Sequence, residues 1–332
     1  MMKRLGRPLI LVGLGALTVL VLLRLGNVDI SMATLRRVEL RYLLAAIAVH
    51  YSGFAVRGRR WQRLLDGLGH HLRYAYVTAL LLAGWFVSAL VPARAGDLAR
   101  AYMLRRDHDV PMAQGFASLA AERALDIAAI LALAGVSAVW ALAGRTPPWV
   151  WQTIGGGVVL FAALAAALLV APRLEEGLVS LLPWAVYRKA ARFGFELLGS
   201  LRRLGRRPRL LATVAAQSLY IWLCDVLLMH LALRSIGVAA PLSVSAFTAM
   251  GVDLAAAVPI IPGALGQFEG TALGLLALFG IGAAQSSLVI LLNRFISFWS
   301  FLAVSGAATY AFGFAQALQT EKLETEPLPS DG

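Results

Sequence analysis

Apolar runs dominate this chain, and their lengths define its elements. Stretches of about 20 residues, enough to span roughly 30 Å of hydrocarbon as a helix, stand at about 8–25, 40–57, 113–142, 150–171, 210–233 and 284–313. These predict six transmembrane helices. Two further apolar stretches, about 78–105 and 243–281, are broken in the middle by Pro92 and Gly96 and by Pro259, Pro262, Gly263 and Gly266. Proline removes a backbone donor and glycine weakens a helix, so a break at membrane depth survives only against protein or a watery cavity. Each broken stretch is therefore expected to form two half-helices that enter and leave on the same side, a re-entrant hairpin.

The polar positions inside these stretches repeat. Val91-Pro92-x3-Gly96 leads to Val110-x2-Ala113-Gln114-x8-Arg123, and Val258-Pro259-x3-Gly263 leads to Ile281-x2-Ala284-Gln285-x8-Arg294, with thirteen positions from the Val or Ile to the Arg in both copies. Lysine and arginine placement then orients the copies. With a cytoplasmic N-terminus, 22 basic residues fall on inner segments and six on outer ones, with Arg123 and Arg294 inside spans. That count assigns Arg57, Arg59, Arg60, Arg63, Arg94 and Arg100 to the inner side and makes the copies opposite in direction. The expectation is an all-α polytopic membrane protein with about six transmembrane helices plus two re-entrant hairpins in an inverted repeat, a recurrent plan of secondary transporters. Residues 1–318 form one integral membrane domain, with repeat one centred on 78–142 and repeat two on 243–313. A basic amphipathic connector spans 173–209, and a short disordered tail spans 319–332. Both termini are cytoplasmic and the expected location is the plasma (inner) membrane.

Composition agrees, since 332 residues with 59% hydrophobic and 14% charged lack the polar surface to cover a soluble globule. The net charge of +12 lies on the cytoplasmic face and points to anionic lipid headgroups rather than nucleic acid. Connector 173–209 interleaves Trp184, Phe193, Phe195 and Leu198 with Arg and Lys, as an interfacial helix does. The single cysteine, Cys224, excludes an internal disulfide and thiolate metal clusters.

Six acids fall in or beside membrane segments: Asp97, Glu122, Asp126, Asp225, Asp253 and Glu269. A lone charge at the bilayer centre costs at least ~3 kcal/mol, so each must face protein, water or a partner. Glu122-Arg123-x2-Asp126 places two acids and a base within about one turn. It reads either as a self-compensating ion network or as an arginine fork held for a phosphate. Asp97 reads either as an N-cap or as part of a phosphate-attracting turn with Arg94 and Arg100. Glu269 follows the second break directly. Arg294 has no acid near it in sequence and calls for an anionic ligand or a distant acid, with Asp225 and Asp253 as candidates. No histidine lies in a recognisable catalytic motif, and His70-His71 lacks the i,i+4 spacing of a helical metal pair. The residues indicate no catalytic group, metal or cofactor.

Four segments, Arg57-Gly-Arg-Arg-Trp61, Pro92-Ala-Arg-Ala-Gly96-Asp97-Leu-Ala-Arg100-Ala-Tyr102, Glu122-Arg123-Ala-Leu-Asp126 and Pro259-Ile-Ile-Pro262-Gly263-Ala-Leu-Gly266-Gln-Phe-Glu269, together resemble the lysylphosphatidylglycerol synthase transmembrane-region family of flippase-like membrane proteins. The family usually has Glu where Asp97 stands and a second Gly where Ala264 stands. The resemblance implies translocation of a lipid or lipid-linked headgroup, or an accessory role in cell-envelope lipid synthesis. The aminoacyl-transfer domain of the full synthases has no counterpart in these 332 residues, so synthesis of lysyl-lipid is not expected.

The leading expectation is a flippase-like translocase for a phospholipid or polyprenyl phosphate, with a groove formed by Arg94, Asp97, Arg100, Glu122, Arg123, Asp126, Glu269 and Arg294 between the hairpins. Its partners are membrane lipids, with lipid-synthesis enzymes as further candidates. The alternatives are an integral-membrane enzyme or a non-transporting accessory protein.

Overall fold

The computed structural model describes residues 38–90, 95–142, 184–257 and 262–325, with scattered residues between 148 and 170. The apolar run 8–25, seven residues of 150–171, and Pro92, Arg94 and Pro259 lie outside the described residues. Helices α1 (Leu40–Gly67), α2 (Tyr74–Leu90), α3 (Ala95–His108) and α4 (Met112–Ala141) come first. They are followed by α5 (Ala185–Gly205), α6 (Pro208–Ser235), α7 (Leu242–Ala256), α8 (Gln267–Leu278), α9 (Ala283–Arg294) and α10 (Phe301–Thr325). No strand occurs among the described residues.

Among the described residues, three rods are long and apolar enough to cross a membrane: α4, α6 and the continuous Ala283–Gly313, of 30, 28 and 31 residues. They coincide with the apolar runs 113–142, 210–233 and 284–313. Helix α4 turns Val136, Val139 and Trp140 outward and α6 turns Leu219, Leu223 and Leu227 outward, as a lipid-facing surface requires. A π-helical turn, Phe295–Ser300, interrupts the last rod immediately after Arg294. Such a turn re-aims the side chains that follow it and occurs often at functional sites.

Two boundaries differ from the sequence expectation. Helix α1 does not stop near residue 57 but continues to Gly67, because Arg57, Arg60, Trp61, Leu64 and Leu65 extend its buried face by one helical period after another. Arg57, Arg60 and Arg100 are buried, so they are interior residues and not loop charges that orient the chain. At the other end, α10 continues to Thr325, past the boundary at 318 where a disordered tail is expected.

The shorter helices pair off. Helices α2 and α3, of 17 and 14 residues, form an antiparallel hairpin whose arms meet at glycine. A Cβ on Gly96 would overlap the Gly84 carbonyl oxygen, and the Gly96 N–H donates to Ser88 Oγ at 3.1 Å. Farther along, Tyr76 Oη donates to Asp107 at 2.9 Å. Helices α7 and α8, of 15 and 12 residues, form the second hairpin, tied by Gln267 Nε2 donating to the Ala255 carbonyl at 2.6 Å. Its bend at Pro262–Ala264 is a 3₁₀ turn with positive φ at Gly263 (69°) and Ala264 (49°).

Each hairpin has its own apolar cluster. Phe54, Trp61, Leu65, Val77, Leu81 and Leu104 surround the first, with Phe301 from α10. Ile130, Val226, Met229, Met250, Leu276 and Val289 surround the second. The hairpins also meet directly, since α2 packs against the Pro262–Ala264 turn. Several helices end alike, with α1 closed by His70 N–H on the Leu65 carbonyl and α6 by Val238 N–H on the Leu233 carbonyl. Val110 N–H closes the end of α3 on the Leu104 carbonyl and Ile281 N–H closes the end of α8 on the Leu276 carbonyl, after Asp109 and Gly280 with positive φ.

Candidate functional site

The charges of the core fall into three balanced groups and one remainder. The first group joins α1, α3 and α4. Arg60 Nη1 donates to Asp126 Oδ1 at 2.6 Å and to Ser218 Oγ at 2.7 Å, while Arg100 Nη2 donates to Glu122 Oε2 at 2.9 Å. Asp97 lies 3.4 Å from Arg100 and 3.6 Å from Arg123. Three arginines (Arg60, Arg100, Arg123) thus face three carboxylates (Asp97, Glu122, Asp126). Trp61 supports the set by donating from Nε1 to Ser118 Oγ at 3.1 Å and lying under Arg100, whose guanidinium is 3.8 Å from the ring centroid. Asp97 is not an N-cap: α3 begins at Ala95, and the Asp97 carboxylate sits in the first turn facing arginines.

The second group joins α8 and α9. Arg294 Nε donates to Glu269 Oε1 at 2.7 Å and Nη2 to the Gly263 carbonyl at 2.9 Å. Glu269 Oε2 also accepts from the Gly266 N–H at 2.6 Å, capping α8. The distant acid required by Arg294 is therefore Glu269, not Asp225 or Asp253. In both copies the acid in the first turn of the second hairpin helix meets the arginine of the helix that follows: Asp97 with Arg123, and Glu269 with Arg294.

The third group is Arg57 with Asp225, Nη2 to Oδ2 at 3.1 Å, between α1 and α6. The Arg57 guanidinium lies 5.7, 5.2 and 5.2 Å from the rings of Phe54, Trp85 and Trp222. Asp253 is the remainder. It makes no hydrogen bond or ion pair among the described residues.

Between the hairpins lies a cavity of about 380 Å³. Its polar wall is His50, Arg57, Arg123, Asp126, Asp225 and Asp253, and Phe54, Trp85, Trp222 and Phe268 supply aromatic surface. Of the sequence candidates, Arg123 and Asp126 line this cavity. Arg100, Glu122, Glu269 and Arg294 do not line it; they are buried in ion pairs beside it, and Asp97 also lies outside its wall while touching Arg123. Arg123 differs from the other network arginines. Its side chain is 31% exposed and its three carboxylates stand at 3.6, 3.7 and 3.9 Å, beyond direct hydrogen-bond length. Its donors make no hydrogen bond among the described residues.

The groove expected from the sequence left out His50, Arg57, Arg60 and Asp225. A signal for three of them was present: His50, Phe54, Arg57, Trp61 and Leu64 recur at three- and four-residue intervals, so Arg57 and Arg60 occupy positions on an otherwise apolar helix face. No metal-binding group of three or more His, Cys, Asp or Glu occurs among the described residues. His70 Nε2 bonds Gln114 Oε1 at 2.6 Å and His71 Nδ1 approaches Asp66 at 3.1 Å.

Comparison with known proteins agrees with this architecture. A family model described as lysylphosphatidylglycerol synthase TM region matches residues 9–305. The chain is 25% identical to a UPF0104 membrane protein of Methanothermobacter thermautotrophicus, over 94% of this chain and 97% of that one. It is 24% identical to a UPF0104 membrane protein of Pyrococcus horikoshii, over 87% and 92%. A stretch of 95 residues is 39% identical to the glycosyltransferase AglD of Haloferax volcanii, covering 28% of this chain and 15% of that protein. No solved structure matches the chain.

Proposed function

The chain belongs to the lysylphosphatidylglycerol synthase TM-region family of membrane proteins, and on that premise we propose that it moves a phospholipid or polyprenyl-phosphate headgroup across the bilayer through the cavity between its hairpins. Arg123 carries the reading. A guanidinium at membrane depth, in a cavity wall and without a direct hydrogen bond, is suited to a phosphate, which offers the bidentate geometry that its more distant carboxylates do not. The cavity volume suits a headgroup but not acyl or prenyl chains, which would remain in the surrounding lipid. Asp97, Glu122 and Asp126 hold Arg123 in place, and Arg60 and Arg100 keep those acids neutralised.

The finer topology belongs to the same proposal. Arms of 12 to 17 residues extend at most ~25 Å, short of the ~30 Å hydrocarbon core, so each hairpin enters and returns on one side. The matched acid-to-arginine contacts of the two hairpins support a repeat, and the proposal takes it as inverted, with six crossing helices, cytoplasmic termini and residence in the plasma (inner) membrane. The reading assigns no catalytic role, and the stretch shared with a glycosyltransferase is too small a part of that protein to bring sugar transfer with it.

The test is a dithionite-quench assay on purified protein in liposomes, with fluorescent zwitterionic, anionic and polyprenyl-phosphate lipids. Wild-type protein moves at least one phosphate-bearing lipid between leaflets and folded Arg123→Ala moves it about tenfold or more slowly. Equal movement by the two proteins, or none of any lipid by wild type under a membrane potential or ion gradient, refutes it.

A further inference from the structure

We propose that Asp253 is a proton-binding site in the cavity wall, and that the protein takes up a proton there when a phosphate headgroup binds beside Arg123. The inference rests on the headgroup reading above. Its basis is the charge balance of the core. Arg60, Arg100 and Arg123 match Asp97, Glu122 and Asp126; Arg294 matches Glu269; Arg57 matches Asp225. Among the described residues Asp253 alone has no cation of its own, and Arg57, within electrostatic reach of it, already bonds Asp225.

Every element around the cavity agrees with this count. Helix α1 contributes His50 and Arg57, α4 contributes Arg123 and Asp126, α6 contributes Asp225 and α7 contributes Asp253. From α2, α8 and α9 with its π turn come Trp85, Phe268, Asn293 and Ser297, none of which titrates in the ordinary range. A carboxylate without a cation is costly at this depth, and an arriving phosphate would add a second negative charge to the same small volume. A proton from the aqueous phase on one Asp253 carboxylate oxygen removes the first charge and makes room for the second. By reciprocity, whatever makes the proton bind better makes the headgroup bind better. His50 is the competing site: it is 6% exposed, lies in the same wall with its Nδ1 3.9 Å from Asp225, and its Nε2 has no hydrogen-bond partner among the described residues.

The experiment uses the purified full chain in detergent with short-chain phosphatidylglycerol as probe. Affinity is followed by fluorescence of Trp85 and Trp222 in the wall, and proton uptake by an indicator dye in weakly buffered solution. Wild type should lose affinity by about tenfold per pH unit above the transition and take up about one proton per bound lipid. Asp253→Asn should bind with little pH dependence and take up none, His50→Gln should still take up about one proton per bound lipid whatever its affinity, and Asp253→Glu should restore uptake. Labelling of buried Cys224 on heating checks that each variant is folded. Uptake unchanged in Asp253→Asn, uptake lost only in His50→Gln, or a requirement for sodium in place of acidity overturns the proton site while leaving the headgroup reading intact. Failure of wild type to bind the anionic lipid and a polyprenyl phosphate at any pH overturns both.

Discussion

Replacing Arg100 by leucine removes one of three arginines from a closed set of six charges. Arg100 is fully buried, bonds Glu122 at 2.9 Å, approaches Asp97 at 3.4 Å and lies over Trp61. Without it, the nearest cations to Glu122 are Arg60 at 3.7 Å and Arg123 at 3.9 Å, and three carboxylates share two guanidinium groups. Breaking a buried pair by removing one partner costs about 3–5 kcal/mol, because the remaining charge has lost water without gaining a cation. At roughly 2–4 °C per kcal/mol, the loss amounts to a fall in Tm on the order of 10 °C. The aliphatic stem of Arg100 lies against Gly84, and leucine retains part of that contact, so the loss is chiefly electrostatic. Cys224 provides the assay: it is the single cysteine and is buried, so a thiol-reactive dye brightens only as the protein opens. The double variant Arg100→Leu, Glu122→Leu leaves two arginines and two acids and should recover more than half of the lost Tm. A single variant that melts with wild type, or a double variant that melts no higher than the single, would refute the view that this network is a neutral structural unit.

Gly96→Ala should destabilise by about 3 kcal/mol or more in the same assay, because its Cβ meets backbone at Gly84 and the arms of the first hairpin must part. Ala264→Gly should stabilise by about 1 kcal/mol, since Ala264 holds φ at 49° and glycine adopts that region without a Cβ penalty. Arg123→Ala should slow lipid movement about 10- to 100-fold, at about 1.5–3 kcal/mol for a bond to a charged group, and lower Tm less than Arg100→Leu, because the Arg123 side chain is 31% exposed and its carboxylates stand at 3.6 Å or more. Arg294→Ala should cost about 3–5 kcal/mol of stability by leaving Glu269 unpaired, and comparison of its melting with that of Arg123→Ala separates the two arginines.

Hydrocarbon allows no unpaired backbone, so a crossing segment must satisfy its hydrogen bonds locally, and length and hydropathy alone reveal it. For this reason the sequence by itself determined the rods at about 113–142, 210–233 and 284–313, the breaks of the two apolar hairpins, and the recurrence of an arginine thirteen residues after Val110 and Ile281. It also displayed Ala264 at a position where the family favours glycine; the positive φ there supplies the reason. Side-chain pairing has no such local rule. Arg57 meets Asp225 across 168 positions and Arg60 meets Asp126 across 66, contacts fixed by how α1 lies along α6 and α4. Only the packed structure therefore decided which arginines are consumed in ion pairs, which one faces the cavity, and which acid was left without a cation. Charge balance in a low-dielectric interior is a property of the whole assembly of helices and of no single segment.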